Sequence, residues 1–413
     1  MLLLFSPTTQ ARRRQGPRGR YDTALLLTAI ALASLGLIMV ASSSIAVAAG
    51  NHMGEFYYLK HQVAYLGLGL ILAAVAMRVE LEFVERHLAV WMIGAVVLLL
   101  LVFAPGIGLR INGARRWLDL GPLSFQPVEA MKLVLIVYLA SYLVRHREGV
   151  EKQFFGAVKP MLVAVLTCVL LLAQPDFGSA VLLMGVTVGM IWLGGARMRY
   201  LVYMGLPLVP AAILLATSKS YRVQRITSFL NPWKDPFDNG FQLVQALIAI
   251  GRGEWFGVGL GGSIQKLFYL PEAHTDFIVA VIGEELGLFG IVLVVGLFAL
   301  LVWRGLVMGL RGVELGQRFA GYVSFGISMM IGMQALVSIG VNLGVLPTKG
   351  LTLPLISAGG SSMLMTCLML GIQLRATYEI NRASDTRRKA VRRNVAAEKK
   401  VPATTEANEE VSA

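Results

Sequence analysis

The sequence predicts an all-α, polytopic membrane protein of about ten transmembrane helices, with a large extracytoplasmic loop between transmembrane helices 7 and 8. Hydrophobic residues make up 56% of the 413-residue chain and charged residues 15%, whereas soluble globular proteins usually carry about 25% charged residues. The mean hydropathy is +0.67. Apolar runs long enough to cross a bilayer recur along the chain, and the segment 218–275 lacks one.

The charge of the chain favours a membrane partner over a nucleic acid. Lys and Arg number 37 against 24 Asp and Glu, a formal net charge of +13, and the excess lies largely in the two ends and in short loops. This distribution favours contact with an anionic leaflet, and we find no nucleic-acid-binding motif. Cys168 and Cys367 both lie in apolar runs, so we interpret them as packed thiols rather than a disulfide or metal pair.

Residues 1–22 form a basic N-terminal segment. The opening MLLLFSPTTQ lacks the basic residues that precede the apolar core of a signal peptide, and a cluster of arginines comes just before the first long apolar run. This order predicts an uncleaved anchor with a cytoplasmic N-terminus. We therefore take 1–22 as a cytoplasmic segment and 23–375 as the membrane domain.

Ten apolar runs are candidate membrane spans. They lie at 23–47, 56–77, 88–105, 127–145, 158–174, 177–194, 199–217, 276–303, 318–342 and 353–374. Basic residues favour cytoplasmic loops, and the short loops on the N-terminal side hold Arg78, Arg145, Arg197 and Arg304. Both termini are therefore expected in the cytoplasm. The basic C-terminal segment 376–413 is expected to be a disordered tail that contacts lipid or a partner.

Two substantial loops are expected on the opposite face, at 105–126 and 218–275. The second holds many aromatic residues, which favours short amphipathic helices at the outer interface, for example over 240–250. Both loops are basic despite the bias against external cations, with Arg110, Arg115 and Arg116 in the first. These cations suit an anionic ligand such as a phosphate or pyrophosphate. The alternative is salt bridging within the loops, which also carry acids.

The fourth span begins at Pro127, a favoured first residue of a helix. Glu129 and Lys132 follow three residues apart on one helical face. An isolated charge at this depth is costly, so the two are expected to face the protein interior together. Lys132 then either orients the helix through a salt bridge or meets a phosphate in a cavity, and the sequence leaves both alternatives open.

Two further polar stretches flank membrane spans. Asp176, in the turn before the sixth span, is interpreted mainly as a helix N-cap. Before the tenth span, residues 346–354 are broken by proline and glycine and are followed by the small residues 357–362. These small residues permit close helix packing, and with Pro354 they equally fit a broken helix beside a cavity.

Asp276 is the main catalytic candidate. It lies at the start of the eighth span, and Glu284 and Glu285 follow it within an otherwise apolar run. An ionisable residue at such a site is a functional hypothesis by default, although Asp276 also suits the positive end of a helix. Glu284 stays on nearly the same helical side and is interpreted as a structural or cavity group, while Glu285 points to the opposite side.

These segments together resemble the SEDS family of bacterial peptidoglycan glycosyltransferases, the FtsW, RodA and SpoVE group. The resemblance covers nearly the whole membrane region, to about Arg375. Within the family, the chain is most similar to the division branch. The motifs that carry the resemblance are NGARRW, FQPVEAMKL, QPDFGSA, NPWKDPFDNGFQLVQALIAIGRGEWFGVGLG, LPEAHTDFI and LPTKGLTLPLIS. Ala358 departs from the family pattern, which usually has tyrosine at that position.

The resemblance implies polymerisation of Lipid II, an undecaprenyl-pyrophosphate-linked disaccharide-pentapeptide, at the outer face of the bacterial cytoplasmic membrane. It implies Asp276 as general base of an inverting transfer, with Arg116 and Lys132 stabilising the pyrophosphate. A divalent ion, Mg²⁺ or Mn²⁺, is a further candidate for that role, although no residue is assigned as its ligand; no organic cofactor is expected. The candidate substrate-binding residues are Arg115, Arg116, Glu129, Lys132, His274, Lys349 and Ser357.

The resemblance also implies partners and a location. A class B penicillin-binding transpeptidase and other divisome membrane proteins are the expected partners, and the division septum is the expected site. Two other functions stay open. One is a flippase for the lipid-linked precursor, for which inverted repeats with broken helices would be expected; the other is a scaffold that recruits a transpeptidase. An elongation or sporulation paralogue of the family is a further alternative.

Overall fold

A computed structural model of the chain describes residues 19–398, apart from residues 51, 112–113, 120, 122–123, 218–219, 239 and 349. The first seven helices are α1 (Thr23–Gly50), α2 (Tyr57–Arg78), α3 (Leu81–Arg86), α4 (Leu88–Leu101), α5 (Pro127–Arg145), α6 (Arg147–Lys152) and α7 (Phe154–Ala173). They are followed by α8 (Phe177–Leu193), α9 (Met198–Thr217), α10 (Ser220–Leu230), α11 (Phe241–Gly253), α12 (Ile278–Glu314), α13 (Arg318–Asn342) and α14 (Gly360–Glu398). A 3₁₀ turn lies at Pro232–Lys234.

The predicted all-α, polytopic membrane fold is confirmed. Within the described part of the chain, six helices are long and apolar enough by themselves to cross a membrane, namely α1, α2, α5, α7, α12 and α13. Helices α4 and α8 are shorter apolar helices. Helix α9 coincides with the predicted span 199–217, and α14 begins within the predicted span 353–374. Many large apolar side chains point away from the bundle, among them Ile71, Ile93 and Leu166. Such outward apolar surface is what a lipid environment requires.

The helices pack around α5 and α13, which are the most enclosed of the long spans. Helix α12 runs alongside α13, α14 runs alongside α2, and α1 packs against both α2 and α12. The predicted N-cap of α8 is confirmed, because the Asp176 carboxylate accepts a hydrogen bond from the Ser179 backbone N–H at 3.2 Å. The cap satisfies one of the free N–H groups that begin every helix.

The two ends of the bundle are distinguished by what they hold. At one end, which we call the terminal end, Arg304 pairs with Asp22, and the ring of Tyr21 lies 5.0 Å from that of Tyr378. The segment before α1 and the middle of α14 therefore meet there. The opposite end, which we call the loop end, holds the connections 102–126 and 218–277, which correspond closely to the two large loops that the sequence predicts.

Helix α14 continues well beyond the membrane domain, to Glu398. This corrects the expectation of a disordered tail for residues 376–398. The helix is tethered where it leaves the bundle: Arg311 donates to the Ser384 hydroxyl at 2.8 Å, and the Asn381 amide donates to the Arg20 carbonyl at 2.8 Å. Residues 1–18 and 399–413, the rest of the two terminal segments, lie outside the described residues.

A small antiparallel sheet lies at the loop end, and the sequence analysis did not foresee it. Its strands are β1 (Gly108–Ile111), β2 (Ala114–Asp119) and β3 (Ser124–Phe125), in the order β1-β2-β3. The missed signal is the Asn-Gly pair at 112–113, the strongest short-range indication of a hairpin. The register places Arg110 opposite Arg115.

The long loop contains the predicted amphipathic helix, observed as α11. Its apolar face is buried at Leu243, Val244, Ala246 and Ala249, and it packs against α12. The helix is thus part of the protein core as well as of the loop end. Gly240, just before α11, approaches the backbone of the 3₁₀ turn closely, since a Cβ there would lie 2.4 Å from the Pro232 carbonyl oxygen.

Helix α12 is broken at Gly287, whose φ of 66° and ψ of −163° suit glycine only. The chain at 254–259 runs beside the break and bonds to the backbone groups that it frees. Val258 N–H donates to the Glu284 carbonyl at 3.0 Å, and Leu288 N–H donates to the Glu254 carbonyl at 2.9 Å. The loop thereby satisfies polar backbone that lipid could not.

Glu284 and Glu285 lie just before this break and are completely buried. Leu288, just after the break, precedes Arg304 along α12 by sixteen residues, roughly 24 Å at 1.5 Å per residue. That length is most of the ~30 Å thickness of the hydrocarbon layer. Since Arg304 lies at the terminal end, the two glutamates lie near the opposite membrane boundary, where the loop covers them.

We expect Gly287→Ala to lower the stability of the protein. A Cβ at residue 287 would lie 2.4 Å from the Gly257 backbone nitrogen, and the backbone conformation alone costs a non-glycine residue about 1–3 kcal/mol. Thermal unfolding of the purified protein measures the effect. Gly296→Ala is the matched control in the same helix, because a Cβ there has nothing within 4 Å. An unchanged melting temperature in Gly287→Ala would contradict the break.

Candidate active site

Asp276 lies at the loop end, just before α12, on a segment whose backbone is fixed by two other parts of the chain. Three consecutive carbonyls accept hydrogen bonds: that of His274 from Ala358 N–H at 2.9 Å, that of Thr275 from the Ser357 hydroxyl at 2.6 Å, and that of Asp276 from the Asn342 amide at 2.9 Å. The position of the Asp276 Cα is therefore set by both α13 and the segment before α14.

Asn342 is a residue that the sequence analysis missed. It is completely buried at the end of α13, and its side chain bridges two points of the adjoining chain. Its amide nitrogen donates to the Asp276 carbonyl, and its oxygen accepts from Ala280 N–H at 3.1 Å. It therefore serves the start of α12 as a cap. A lone Asn at the end of an apolar run gave no sequence signal that would link it to residue 276.

The Asp276 side chain is half-buried, in contrast to Glu284 and Glu285. Gly350 lies directly against it, since a Cβ at that position would lie 2.7 Å from the Asp276 Oδ2 atom. The absence of a side chain at residue 350 thus leaves space at the carboxylate. Lys349, the neighbouring candidate from the sequence, lies outside the described residues.

His274 is buried within the same segment, with its ring 4.7 Å from that of Tyr58. Among the described residues, its Nδ1 atom has no hydrogen-bond partner. Burial lowers the pKa of His274 below its usual value, and the nearby Glu272 carboxylate raises it by a smaller amount. The imidazole is therefore neutral over more of the pH range than an exposed histidine, and can still form one hydrogen bond.

Ser357 is buried and its hydroxyl is occupied by protein groups. It donates to the Thr275 carbonyl and accepts from Leu353 N–H at 2.8 Å. Its carbonyl accepts from the Gln62 amide at 3.1 Å. The residue thus joins the segment 351–357 to the segment of Asp276. Ala358 donates its backbone N–H to the His274 carbonyl. This hydrogen bond does not depend on the tyrosine side chain that the family usually has at residue 358.

Lys132 and Glu129 face the interior together, which confirms the predicted placement. Lys132 is fully buried, and its ammonium donates to Glu129 at 2.7 Å and to the Gln334 side-chain oxygen at 3.1 Å. The Gln334 amide in turn donates to the Thr352 carbonyl at 3.0 Å. The pair is thereby connected to segment 351–357, and so to Ser357 and the backbone of Asp276. A role of Lys132 with phosphate stays a prediction.

The two sheet arginines occupy different positions. Arg115 is exposed on β2. Arg116 is partly buried and donates to the Gln174 carbonyl at 3.1 Å and to the Pro175 carbonyl at 2.5 Å. It therefore holds the turn before α8. Their predicted contact with an anionic substrate stays a prediction.

The two buried glutamates fix the glycine-rich chain between α11 and Asp276. Glu284 accepts from Arg252 at 2.6 Å, from Ser263 at 2.5 Å and from Ile264 N–H at 3.0 Å. Glu285 accepts from Lys266 and from Ser42 of α1, each at 2.7 Å. Each carboxylate thus accepts several hydrogen bonds, one of them from a cation, as a buried charge requires.

The described residues do not form a protein site for a divalent metal ion. No group of three or more His, Cys, Asp or Glu side chains among them lies close enough to hold one. Mg²⁺ is often held by one or two carboxylates together with substrate phosphates. The metal therefore stays a prediction from the sequence resemblance.

A family model of cell cycle proteins, covering FtsW, RodA and SpoVE, matches residues 22–382. The chain belongs to this family. The predicted resemblance to the SEDS proteins is thereby confirmed.

Relatives within the FtsW, RodA and SpoVE family point to its FtsW branch. The chain is 52% identical over 387 residues to a probable peptidoglycan glycosyltransferase FtsW of Xanthomonas oryzae pv. oryzae, covering 94% of this chain and 79% of that protein. It is 48% identical over 363 residues to a probable peptidoglycan glycosyltransferase FtsW of Legionella pneumophila, covering 88% and 92%. The prediction of the division branch is confirmed.

Solved structures share the fold of this family member. A chain in a peptidoglycan synthase complex, whose structure concerns the coordination of polymerization and crosslinking, matches with a TM-score of 0.71 at 30% identity, covering 87% of this chain and 98% of that one. The rod shape determining protein RodA of Thermus thermophilus matches with a TM-score of 0.62 at 28% identity, covering 86% and 96%.

Removal of the buried Lys132 tests the pair with Glu129. We expect Lys132→Met to lower the free energy of unfolding by about 3–5 kcal/mol, because it leaves a buried carboxylate without its cation. The double variant Glu129→Gln/Lys132→Met should recover much of that loss in denaturant or thermal unfolding. If the double variant also regains catalytic activity, Lys132 serves only the pair; if it is stable and inactive, Lys132 has a further role.

The buried neutral His274 predicts a pH dependence of stability. Its pKa in the folded chain lies below that of the unfolded chain, about 6.5, so the unfolded chain binds the proton more tightly. Stability should therefore be complete above that value and fall as the pH drops below it. Melting temperatures at about pH 7.5 and 5.5 measure this, and His274→Asn should reduce the difference. His146→Asn, at the exposed terminal end, is the control; an equal effect of both variants would contradict the assignment.

Proposed function

We propose that this chain is a peptidoglycan glycosyltransferase that polymerises Lipid II with Asp276 as its general base. Its relatives at about half identity bear the name of that activity. The observation that carries the proposed role of Asp276 is its setting: a half-buried carboxylate at the loop end, on backbone held by three hydrogen bonds from other segments.

The proposed reaction needs one base. Asp276 accepts the proton of the acceptor sugar's 4-hydroxyl while the oxygen attacks the anomeric carbon of the donor from the side opposite the leaving group. The bond between that carbon and the pyrophosphate oxygen breaks, and undecaprenyl pyrophosphate departs with the electron pair. Configuration at the anomeric carbon is inverted. Because pyrophosphate leaves as a stable anion, a second carboxylic acid is not required, in contrast to most glycosidases.

Fixed backbone at Asp276 supports this role on energetic grounds. A base that is already positioned loses little freedom when the acceptor binds, and misplacement by about 1 Å can cost on the order of a hundredfold in rate. The network from Lys132 through Gln334 and Thr352 to Ser357 would keep the segment in place. Lys132 would then act mainly by positioning the segment of Asp276. The exposed Arg115 is the better candidate for direct contact with pyrophosphate.

The proposed location is the bacterial cytoplasmic membrane at the division septum. The terminal end would lie in the cytoplasm, since Arg78, Arg145 and Arg304 lie there and basic residues favour that side. The loop end, with Asp276, would then face outward, where Lipid II is used. The septal site follows from the similarity to the FtsW branch.

The proposed partners are a class B penicillin-binding transpeptidase and other membrane proteins of the divisome. The structural match to a chain in a peptidoglycan synthase complex supports an enzyme that works together with a crosslinking partner. The flippase alternative is disfavoured by the asymmetry of the site, in which the catalytic candidate and its supporting contacts all lie at one end of the bundle.

Asp276→Asn tests the proposed chemistry. The substitution keeps the shape of the side chain and removes its basicity, so we expect normal folding and a loss of polymerisation of at least about a hundredfold, the usual size of a general-base effect. The measurement is glycan-strand formation from Lipid II by the purified full chain, with and without a cognate class B transpeptidase. Glu55→Gln, an exposed acid at the loop end, is the matched control.

Three outcomes are informative in that assay. Retained polymerisation in Asp276→Asn would refute the role of this residue as base. Polymerisation by the unaltered chain in detergent, where no transbilayer gradient exists, would exclude a purely transporting function. Failure of the unaltered chain with its partner present would contradict the proposed enzyme itself.

A further inference from the structure

A cavity of about 620 Å³ opens at the terminal end, where α5 and α6 meet the start of α13. The proposed catalysis does not use it. Its charged lining consists of Arg145, Arg147, Lys152, Arg318, Glu148 and Glu151. Four cationic side chains face two acidic ones in this lining. Since Arg145 also pairs with Glu85, a surplus of one positive charge is left, so the cavity favours an anion.

A second cavity at the same end provides a comparison. It has a volume of about 560 Å³ and lies between the start of α3 and the cytoplasmic part of α14. Its charged lining is balanced, with Arg375, Arg382 and Arg387 against Glu80, Glu82 and Glu379. The excess of cations is thus a property of the first cavity and not of every depression at this end of the protein.

Arg318 differs from the other cations of the first cavity. Arg145 pairs with Glu85 at 3.3 Å, Arg147 with Glu151 at 2.6 Å, and Lys152 with Glu148 at 3.6 Å. No carboxylate within the described part of the chain pairs with Arg318. It is the first residue of α13, and Gln317 before it makes no side-chain cap hydrogen bond. The guanidinium and the positive end of a long helix therefore both lie where an anion could bind.

The cavity lies at the level of lipid headgroups. Helix α5 has 19 residues, roughly 28 Å at 1.5 Å per residue, so its two ends lie near the two surfaces of a ~30 Å hydrocarbon layer. Arg145 ends that helix. Phe155 and Leu162 on the adjacent α7 are exposed, 74% and 55%, and so offer apolar surface to acyl chains beside the cavity.

We propose that this cavity binds the phosphate of an anionic phospholipid from the cytoplasmic leaflet, with Arg318 as its central contact. The negative charge of the phosphate would offset the excess of positive charge in the cavity, and the exposed face of α7 would accommodate the acyl chains. Basic pockets between transmembrane helices on this side of a membrane commonly bind such headgroups. The proposal assigns a ligand to a site far from Asp276 and stands independently of the proposed catalysis.

Binding of phosphatidylglycerol to the purified full chain in detergent tests the proposal, with phosphatidylcholine as the neutral reference. Native mass spectrometry of the delipidated protein measures the bound lipid. We expect preferential binding of phosphatidylglycerol, and about fivefold weaker binding in Arg318→Gln, the loss expected for one basic side chain at a lipid surface. Arg318→Lys should retain most of the binding because it keeps the charge.

Arg78→Gln is the matched control, since Arg78 is an exposed arginine at the same end that lies outside the cavity lining. Equal loss in Arg78→Gln and Arg318→Gln, or no preference for phosphatidylglycerol, would overturn the proposal. Soluble glycerol 3-phosphate forms the last arm. If it fails to displace the lipid, the site recognises phosphate within a lipid; if it displaces the lipid at equal concentration, the assignment to lipid is overturned in favour of a soluble phosphate ester.

Discussion

The loop end of this protein depends on the burial of two adjacent carboxylates. Glu284 and Glu285 are wholly enclosed, and a buried charge without partners costs several kcal/mol. Their partners come from the end of α11, from the chain between α11 and Asp276, and from α1. The need to satisfy these two charges therefore draws a glycine-rich segment of irregular backbone against the broken part of α12. That segment leads directly into the catalytic candidate.

The break at Gly287 and the loop beside it support each other. A break in a helix near the membrane boundary frees backbone groups that lipid cannot satisfy, and residues 254–259 supply the missing hydrogen bonds. Their close approach requires glycine on both sides, since a Cβ at Gly257 would lie 2.1 Å from the Glu285 carbonyl oxygen. Backbone hydrogen bonds and side-chain hydrogen bonds thus both hold the loop between α11 and Asp276 against α12.

Much of this arrangement could be predicted from the sequence. Among the described residues, six of the ten predicted spans coincide with helices long and apolar enough to cross a membrane. The inward pair of Glu129 and Lys132 follows from their spacing and the cost of charge in lipid. The sheet was not predicted, although the Asn-Gly pair at 112–113 is a sequence signal for a hairpin. The positions of Asn342 and of the α12 break could not be foreseen, because each depends on contacts between segments distant in sequence. The helical start of the tail depends in the same way on Arg311 and Arg20.

The three acids around the start of α12 are chemically alike and are separated only by what they contact. Glu284 and Glu285 each accept hydrogen bonds from a cation and from a hydroxyl inside the protein, so proton transfer to either would require breaking those contacts. Asp276 keeps a partly accessible side chain beside Gly350, and three backbone carbonyls of its segment accept hydrogen bonds from other parts of the chain. A general base needs both a fixed position and an accessible carboxylate. Of these three acids, Asp276 combines them, since its side chain is partly accessible and hydrogen bonds from Asn342, Ser357 and Ala358 hold the backbone of its segment.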